Sequence, residues 1–215
     1  MLLYYITDRA QFPGDEVSRR RLLLHKVSQA AACGVDFIQL RERDLPTREL
    51  EDLARDVVRV IGQSDHPGKT VLLVNSRSDV AICTAADGVH LRSDDVSPRE
   101  VRQAWLYPAD ARATPIIGIS CHTPAEVGRA QAEGADFAVF GPVFEKRDGK
   151  NSESPSRDGL DRLRRACQHR FPVLALGGVT VENARSCVEA GAAGVAGIRL
   201  FQENEMAETV RRLRG

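Results

Sequence analysis

Eight short apolar runs, each followed by an amphipathic stretch, fill the chain from end to end. The runs fall at Leu3–Thr7, Phe37–Arg41, Val71–Asn75, Gly88–Leu91, Ile116–Cys121, Phe137–Val143, Val173–Gly177 and Gly194–Leu200. Helical spacing follows at 16–33, 47–62, 77–84, 98–105, 123–133, 157–169, 180–190 and 204–213. Within a run the apolar residues are continuous, as in parallel strands covered by helices on one face and packed inward on the other. Eight consecutive units predict an α/β protein, a single (β/α)8 TIM barrel over residues 1–215 with no second domain. An open doubly wound sheet is the alternative, and eight units in a row suit closure better.

The helix-to-strand junctions resemble one another: Cys33-Gly34-Val35-Asp36-Phe37, Ala86-Asp87-Gly88, Gly134-Ala135-Asp136-Phe137 and Gly191-Ala192-Ala193-Gly194. In three of them a glycine follows the helical pattern, where a left-handed backbone ends a helix cheaply; Ala86-Asp87 fits less well. Thr123-Pro124 with Glu126 predicts a helix start by cap, first-turn proline and acidic first turn. Thr180 with Asn183 supplies only the cap half of such a signal.

Composition excludes several classes. Thirty basic residues balance thirty acidic ones, without the basic excess that nucleic-acid binding requires. No apolar run approaches the roughly 20 residues that span a bilayer, and the start MLLYYITDR is charged too soon for a secretory signal. Five cysteines (Cys33, Cys83, Cys121, Cys167 and Cys187) form no C-x-x-C pair, which predicts neither a disulfide framework nor a zinc site. The expectation is a cytoplasmic protein with neither nucleic-acid nor membrane partners.

In such a barrel, chemistry sits at the carboxyl ends of the strands. That rule selects Thr7 and Asp8; Arg41, Glu42 and Arg43; Asn75, Ser76 and Arg77; His90, Arg92 and Asp95; Ser120, Cys121 and His122; Gly141 and Pro142; Gly177 and Gly178; Gly197 and Arg199. Leu176-Gly177-Gly178-Val179-Thr180, ending a strand and opening a helix, predicts a phosphate cradle of backbone N–H groups, completed by Gly197-Ile198-Arg199. Imidazole is the side chain suited to shuttling a proton near neutral pH, which makes His122 the candidate acid/base residue. His90, inside a strand, is expected to pack in the barrel interior, and Cys121 to be a core-edge residue. Asp94 and Asp95 are either surface carboxylates or holders of Mg²⁺, which takes a few carboxylates with water and substrate phosphate. The charged segment 145–158, with Lys146, Arg147, Lys150 and Arg157, is either a lid over an anion or a solvated loop.

Seven motifs fall in order: Tyr5-Ile6-Thr7-Asp8, Ile38-Gln39-Leu40-Arg41-Glu42, Asp87-Gly88-Val89-His90-Leu91, Ile117-Gly118-Ile119-Ser120 with His122-Thr123, Gly134-Ala135-Asp136, Phe140-Gly141-Pro142-Val143-Phe144 and Ala175-Leu176-Gly177-Gly178-Val179. Together they resemble the thiamine phosphate synthase/TenI family over about residues 3–201. The resemblance implies one of two activities. A synthase joins hydroxymethylpyrimidine diphosphate to a thiazole phosphate, releases pyrophosphate and uses Mg²⁺. A TenI-type tautomerase moves a proton within the thiazole phosphate and needs no metal.

Departures from the family pattern fall on the diphosphate side. Asn75-Ser76-Arg77 stands where synthases have an aspartate for magnesium, and Asp95 matches the second metal aspartate. Glu145-Lys146-Arg147-Asp148-Gly149-Lys150 lacks the family's threonine pair, Arg41-Glu42-Arg43 replaces Arg-x-Lys, and Arg199 replaces a serine. The first expectation is therefore a tautomerase. His122 would be its acid/base group, and the substrate would be bound by Arg41, Arg43, Asn75, Ser120, Lys150, Gly177, Gly178, Gly197, Ile198 and Arg199. The alternatives are a Mg²⁺-dependent synthase with Asp95 on the metal, and a non-catalytic binder of thiazole or thiamine phosphate acting as a regulator. The partner expected is a small-molecule thiazole phosphate, with a homodimer implied by the pairing of barrels in this family.

Overall fold

The amphipathic stretches become helices for identifiable reasons. In α2 (Thr47–Gly62) the residues Leu50, Leu53, Ala54, Val57 and Ile61 recur at helical spacing and all are buried. In α5 (Pro124–Ala132) the Thr123 hydroxyl accepts the Glu126 N–H at 3.2 Å and Pro124 opens the first turn, as its sequence predicts. The start of α4 (Pro98–Trp105) is a full capping box between Ser97 and Glu100. The computed structural model describes residues 1–66, 70–106, 114–144 and 157–215.

The remaining helices are α1 (Glu16–Ala32), α3 (Ser78–Thr84), α6 (Arg157–Ala166), α7 (Ala184–Glu189), α8 (Arg199–Gln202) and α9 (Met206–Arg214). The strands are β1 (Leu2–Ile6), β2 (Phe37–Leu40), β3 (Val71–Asn75), β4 (Gly88–Leu91), β5 (Ile116–Cys121), β6 (Phe137–Phe140), β7 (Val173–Ala175) and β8 (Gly194–Gly197). Every strand pairs in parallel with its sequence neighbours, and β8 pairs with β1, so the sheet closes as a (β/α)8 barrel. The open-sheet alternative is excluded.

Several element ends differ from the sequence expectation. Strands β6, β7 and β8 stop before Val143, Gly177 and Leu200. Proline cannot donate to a ladder, and Pro142 follows a cis peptide directly after β6. Gly177 and Gly178 have positive φ, and Leu200 belongs to a short helix, α8. The helix expected from 180 begins at Ala184, because Thr180 and Asn183 first close a turn: the Thr180 N–H donates to Asn183 Oδ1 at 2.8 Å. A 3-10 turn at Arg9–Gln11 follows β1 and was not foreseen.

The junction repeat has a physical basis. Asp36, Asp87 and Asp136, each just ahead of an even-numbered strand, accept backbone N–H groups of the preceding strand: Leu3 at 2.8 Å, Leu72 at 2.9 Å and Ile117 at 2.7 Å. The three junction glycines Gly34, Gly134 and Gly191 have positive φ, and Ala85 takes the left-handed conformation at the junction without one.

Two cores divide the apolar residues. The larger lies between sheet and helices. The smaller fills the barrel with Tyr4, Ile6, Leu73, Phe137, Val139, Leu174 and Ala196. Near the floor, the Tyr4 ring meets Phe37 and Phe137 edge-on, with centroids 5.7 and 5.6 Å apart. That geometry adds about 0.5–1.5 kcal/mol per pair to the burial term. Among the described residues, all five cysteines are free and no helix is long and apolar enough to cross a membrane.

Candidate active site

Side chains alternate across a strand, so the inward set fixes which polar residues share the barrel face. Counting on from Leu73 and Tyr4 places Gln39, Arg41, Asn75, His90 and Ser120 on that face, with polarity rising toward the carboxyl ends. Hydrogen bonds link several of them. Gln39 Nε2 donates to Asn75 Oδ1 at 3.3 Å, and Asn75 Nδ2 donates to Ser76 Oγ at 3.2 Å. The Ser76 hydroxyl in turn donates to Asp95 Oδ2 at 2.6 Å. The Arg92 N–H reaches the same oxygen at 2.7 Å, while Oδ1 of Asp95 accepts from no described residue.

His122 lies at the rim, exposed, just past β5. Its Nδ1 is 2.7 Å from the Gly141 carbonyl. A carbonyl only accepts, so Nδ1 carries the proton and Nε2 of the neutral ring is the basic nitrogen. The backbone is held on both sides: the His122 N–H donates to Glu126 Oε2 at 2.6 Å, and its carbonyl accepts from Arg162 Nη2 at 2.7 Å. Arg162 also lies over the Phe140 ring, 5.8 Å from its centroid.

Arg41 is half-buried, and its guanidinium donates to no acceptor among the described residues. Burial first and the nearby Arg43 second lower its pKa, with Asp8 and Glu42 opposing. An arginine so placed has donors to offer an anion. Arg43 is exposed.

The turns after β7 and β8 differ from the expected cradle in one respect. Gly177 has φ +95°, and a Cβ there would lie 2.7 Å from Pro142 Cα, so only glycine fits this approach. Among the described residues, no acceptor pairs with the backbone N–H groups of Gly178, Val179 and Ile198. Gly197 precedes Ile198 at the end of β8. The Arg199 side chain, however, is 73% exposed and runs along the short α8 helix to Glu203, 3.6 Å away. Its position in a helix, rather than on an extended β8, turns the guanidinium to the surface.

Beside Ser120, between the β4–α4 loop and α5, a cleft of about 320 Å³ is lined by Arg92, Asp95, Ser120, Glu126 and Arg129, among others. Among the described residues, no group of three or more His, Cys, Asp or Glu side chains is arranged to hold a metal. Lys150 and the segment 145–156, with its expected lid role, lie outside the described residues. Cys121 is buried, and burial pushes its thiol up to about 12, in keeping with a core-edge residue. His90 is buried in the interior, as expected.

Sequence reasoning missed three interior groups. Gln39 orders Asn75, Tyr4 bonds His90, and Arg9 pairs with the buried Glu42. Glu42 accepts the Thr7 hydroxyl at 2.6 Å and the Arg9 N–H at 3.0 Å, and Arg9 Nη1 lies 3.2 Å away. The signal available for Gln39 and Tyr4 was strand parity, which puts both on the inner face.

Comparisons with known proteins follow this geometry. A family model described as Thiamine monophosphate synthase matches residues 3–201. A Geobacter sulfurreducens protein named provisionally as a thiamine-phosphate synthase is 40% identical over 195 residues, covering 90% of this chain and 83% of its own. A Moorella thermoacetica protein named thiamine-phosphate synthase is 34% identical over 196 residues, covering 90% of this chain and 88% of its own. The solved thiamine phosphate pyrophosphorylase from Pyrococcus furiosus superposes with a TM-score of 0.77 at 28% identity, over 99% of this chain and 93% of that one. By the match of its motifs and its barrel over nearly their whole length, the chain belongs to the thiamine monophosphate synthase family.

Proposed function

We propose that this enzyme of thiamine biosynthesis is a thiamine-phosphate synthase. It would join hydroxymethylpyrimidine diphosphate to a thiazole phosphate: a bond forms to the thiazole ring nitrogen, the carbon–oxygen bond to the diphosphate breaks, pyrophosphate leaves, and a thiazole substrate that carries a carboxylate loses it as CO2. The names borne by relatives that cover 90% of the chain favour this over the tautomerase that the sequence departures suggested. The observation that carries it is a cation place and an anion place on one mouth: among the described residues, Asp95 Oδ1 has no donor and the Arg41 guanidinium no acceptor.

The residues present fit Mg²⁺ at its lower limit, since this ion is held by one or two carboxylates with substrate phosphates and waters completing its shell. Asp95 supplies one carboxylate, and Ser76 stands beside it with a neutral hydroxyl. When bound, Mg²⁺ supplies charge neutralisation to the departing diphosphate. The chain's own part is positioning. The N–H groups of Gly178, Val179 and Ile198, with Gly177 and Gly197 making the turns, hold the thiazole phosphate. Arg41 and Arg43 face its carboxylate or the diphosphate, and Asn75 and Ser120 orient the rings. Lys150 is assigned to the diphosphate, and Arg199 contributes its backbone alone.

A second reading keeps the tautomerase, on the observation that His122 has its Nδ1 proton fixed on Gly141 and its Nε2 bonded to no described residue, so that it could take a proton from substrate. Paired assays separate the two. Mg²⁺-dependent pyrophosphate release from the two substrates supports the synthase. Tautomer conversion of thiazole carboxylate phosphate without such release replaces it with the tautomerase. Tight binding without either turnover leaves the non-catalytic binder.

A further inference from the structure

The barrel interior holds a polar pair, Tyr4 and His90, that the chemistry above leaves without a task and that leads up to Ser120. Tyr4, fully buried on β1, places its hydroxyl 3.1 Å from His90 Nδ1, and His90 Nε2 lies 2.9 Å from Ser120 Oγ at the mouth. Phe37 and Phe137 flank the Tyr4 ring, and His90 is the one hydrogen-bond partner of its hydroxyl among the described residues. The seat for the imidazole is built by Gly118 on the neighbouring strand. A Cβ there would come 2.9 Å from His90 Nδ1 and 2.6 Å from the Phe137 ring. Burial foremost, and the charge of Arg41 next, push the His90 pKa down to about 3, so the ring is neutral across the working range.

A neutral imidazole has one donor and one acceptor, which leaves two arrangements. In one, Nδ1–H donates to the Tyr4 oxygen and Ser120 donates to Nε2. The phenol proton then points among aromatic edges with no acceptor among the described residues, a buried unsatisfied donor of the costly kind. In the other, the Tyr4 hydroxyl donates to Nδ1, Nε2–H donates to Ser120 Oγ, and no buried donor is stranded. The Ser120 proton is then free to point outward.

We propose that Tyr4 is a positioning residue: it fixes His90 as the Nε2–H tautomer, and His90 thereby commits the Ser120 hydroxyl to donate to an acceptor atom of the substrate at the barrel mouth. The identity of that substrate rests on the functional reading above; the orientation of the hydroxyl does not. The specificity that follows is for a ring nitrogen or an anionic oxygen opposite Ser120.

The test is long-range ¹⁵N–¹H correlation on the histidine rings of the full chain at neutral pH, with His90 assigned by loss of its signals in His90→Gln. The expected result is an Nε2–H tautomer for His90, and an Nδ1–H tautomer overturns the proposal. This readout needs no substrate, so failure of turnover with thiazole phosphate counts against the functional reading and leaves the tautomer measurement to decide on its own. In Tyr4→Phe the single tautomer gives way to a mixture, whereas retention of pure Nε2–H overturns the role of Tyr4. A double-mutant cycle on thiazole phosphate binding completes the test. Tyr4→Phe weakens affinity several-fold in the native background and has no further effect in Ser120→Ala. Equal effects in both backgrounds mean that Tyr4 acts through general packing, and the proposal falls.

Discussion

Ser76 Oγ and Asp95 Oδ2 lie 2.6 Å apart, so a neutral hydroxyl occupies one side of the carboxylate that faces the mouth. Ser76 holds this position with φ +57°, a left-handed backbone that aspartate also tolerates. Ser76→Asp puts a second carboxylate beside the first. The Mg²⁺ concentration for half-maximal pyrophosphate release is expected to fall by about tenfold as the ligand charge rises. An unchanged Mg²⁺ titration removes Asp95 from the metal's surroundings.

His122 separates the two readings of the reaction. Its fixed Nδ1–H leaves Nε2 as the base, and removing a positioned acid/base group costs about 10²–10⁴-fold in a proton-transfer step. His122→Ala is expected to abolish any tautomer conversion on that scale while changing pyrophosphate release by only a few-fold. Parallel rate measurements on the two reactions decide it.

Gly177 and Gly134 make a matched pair of substitutions. Both have positive φ, but a Cβ at Gly134 meets nothing within 4 Å, while at Gly177 it meets Pro142 Cα at 2.7 Å. Gly134→Ala costs only the backbone strain, about 1–3 kcal/mol. Gly177→Ala is expected to cost more, seen as a larger drop in Tm, and to raise KM for the phosphorylated substrate. Equal Tm shifts show that the approach to Pro142 relaxes without penalty.

The neutral His90 ties stability to acid. Its folded pKa, about 3, lies below the ordinary histidine value of 6.5, so between these pH values the unfolded chain binds the proton and the folded chain does not. The contribution is complete above pH 6.5 and is lost as pH falls toward 3, at up to about 1.4 kcal/mol per pH unit. Denaturant titrations across this window are expected to show a shallower pH slope for His90→Gln than for the native chain. Parallel slopes show that the ring protonates inside the fold.

Arg9 and Glu42 lock the first two loops above the barrel, and Glu42 is only 4% exposed. Arg9→Ala leaves that carboxylate buried without its cation, a change expected to cost about 3–5 kcal/mol in chemical denaturation. Recovery in the double variant Arg9→Ala/Glu42→Gln identifies the stranded charge as the cause.

The barrel was legible because continuous apolar runs and helical spacing alternate so regularly. The strand ends were not, because Val143, Leu176 and Ile198 carry the apolar run past the last ladder pair and only the backbone of Pro142, Gly177 and α8 stops it. Most mouth residues fell where the strand-end rule put them. Arg199 did not: it starts a helix, and a helical turn rotates its side chain away from the position an extended strand would give. Tyr4 and Gln39 were hidden inside runs treated as uniformly apolar, where only parity along the strand separates inward from outward residues.

The carboxylates of Asp36, Asp87 and Asp136 bind β2 to β1, β4 to β3 and β6 to β5, whereas the matching place before β8 is Ala193. Three of the four odd–even strand pairs thus carry a carboxylate latch at the base, and the β7–β8 pair, which carries both glycine turns, has none. Ala193→Asp would supply the β7–β8 pair with the latch that the other three have.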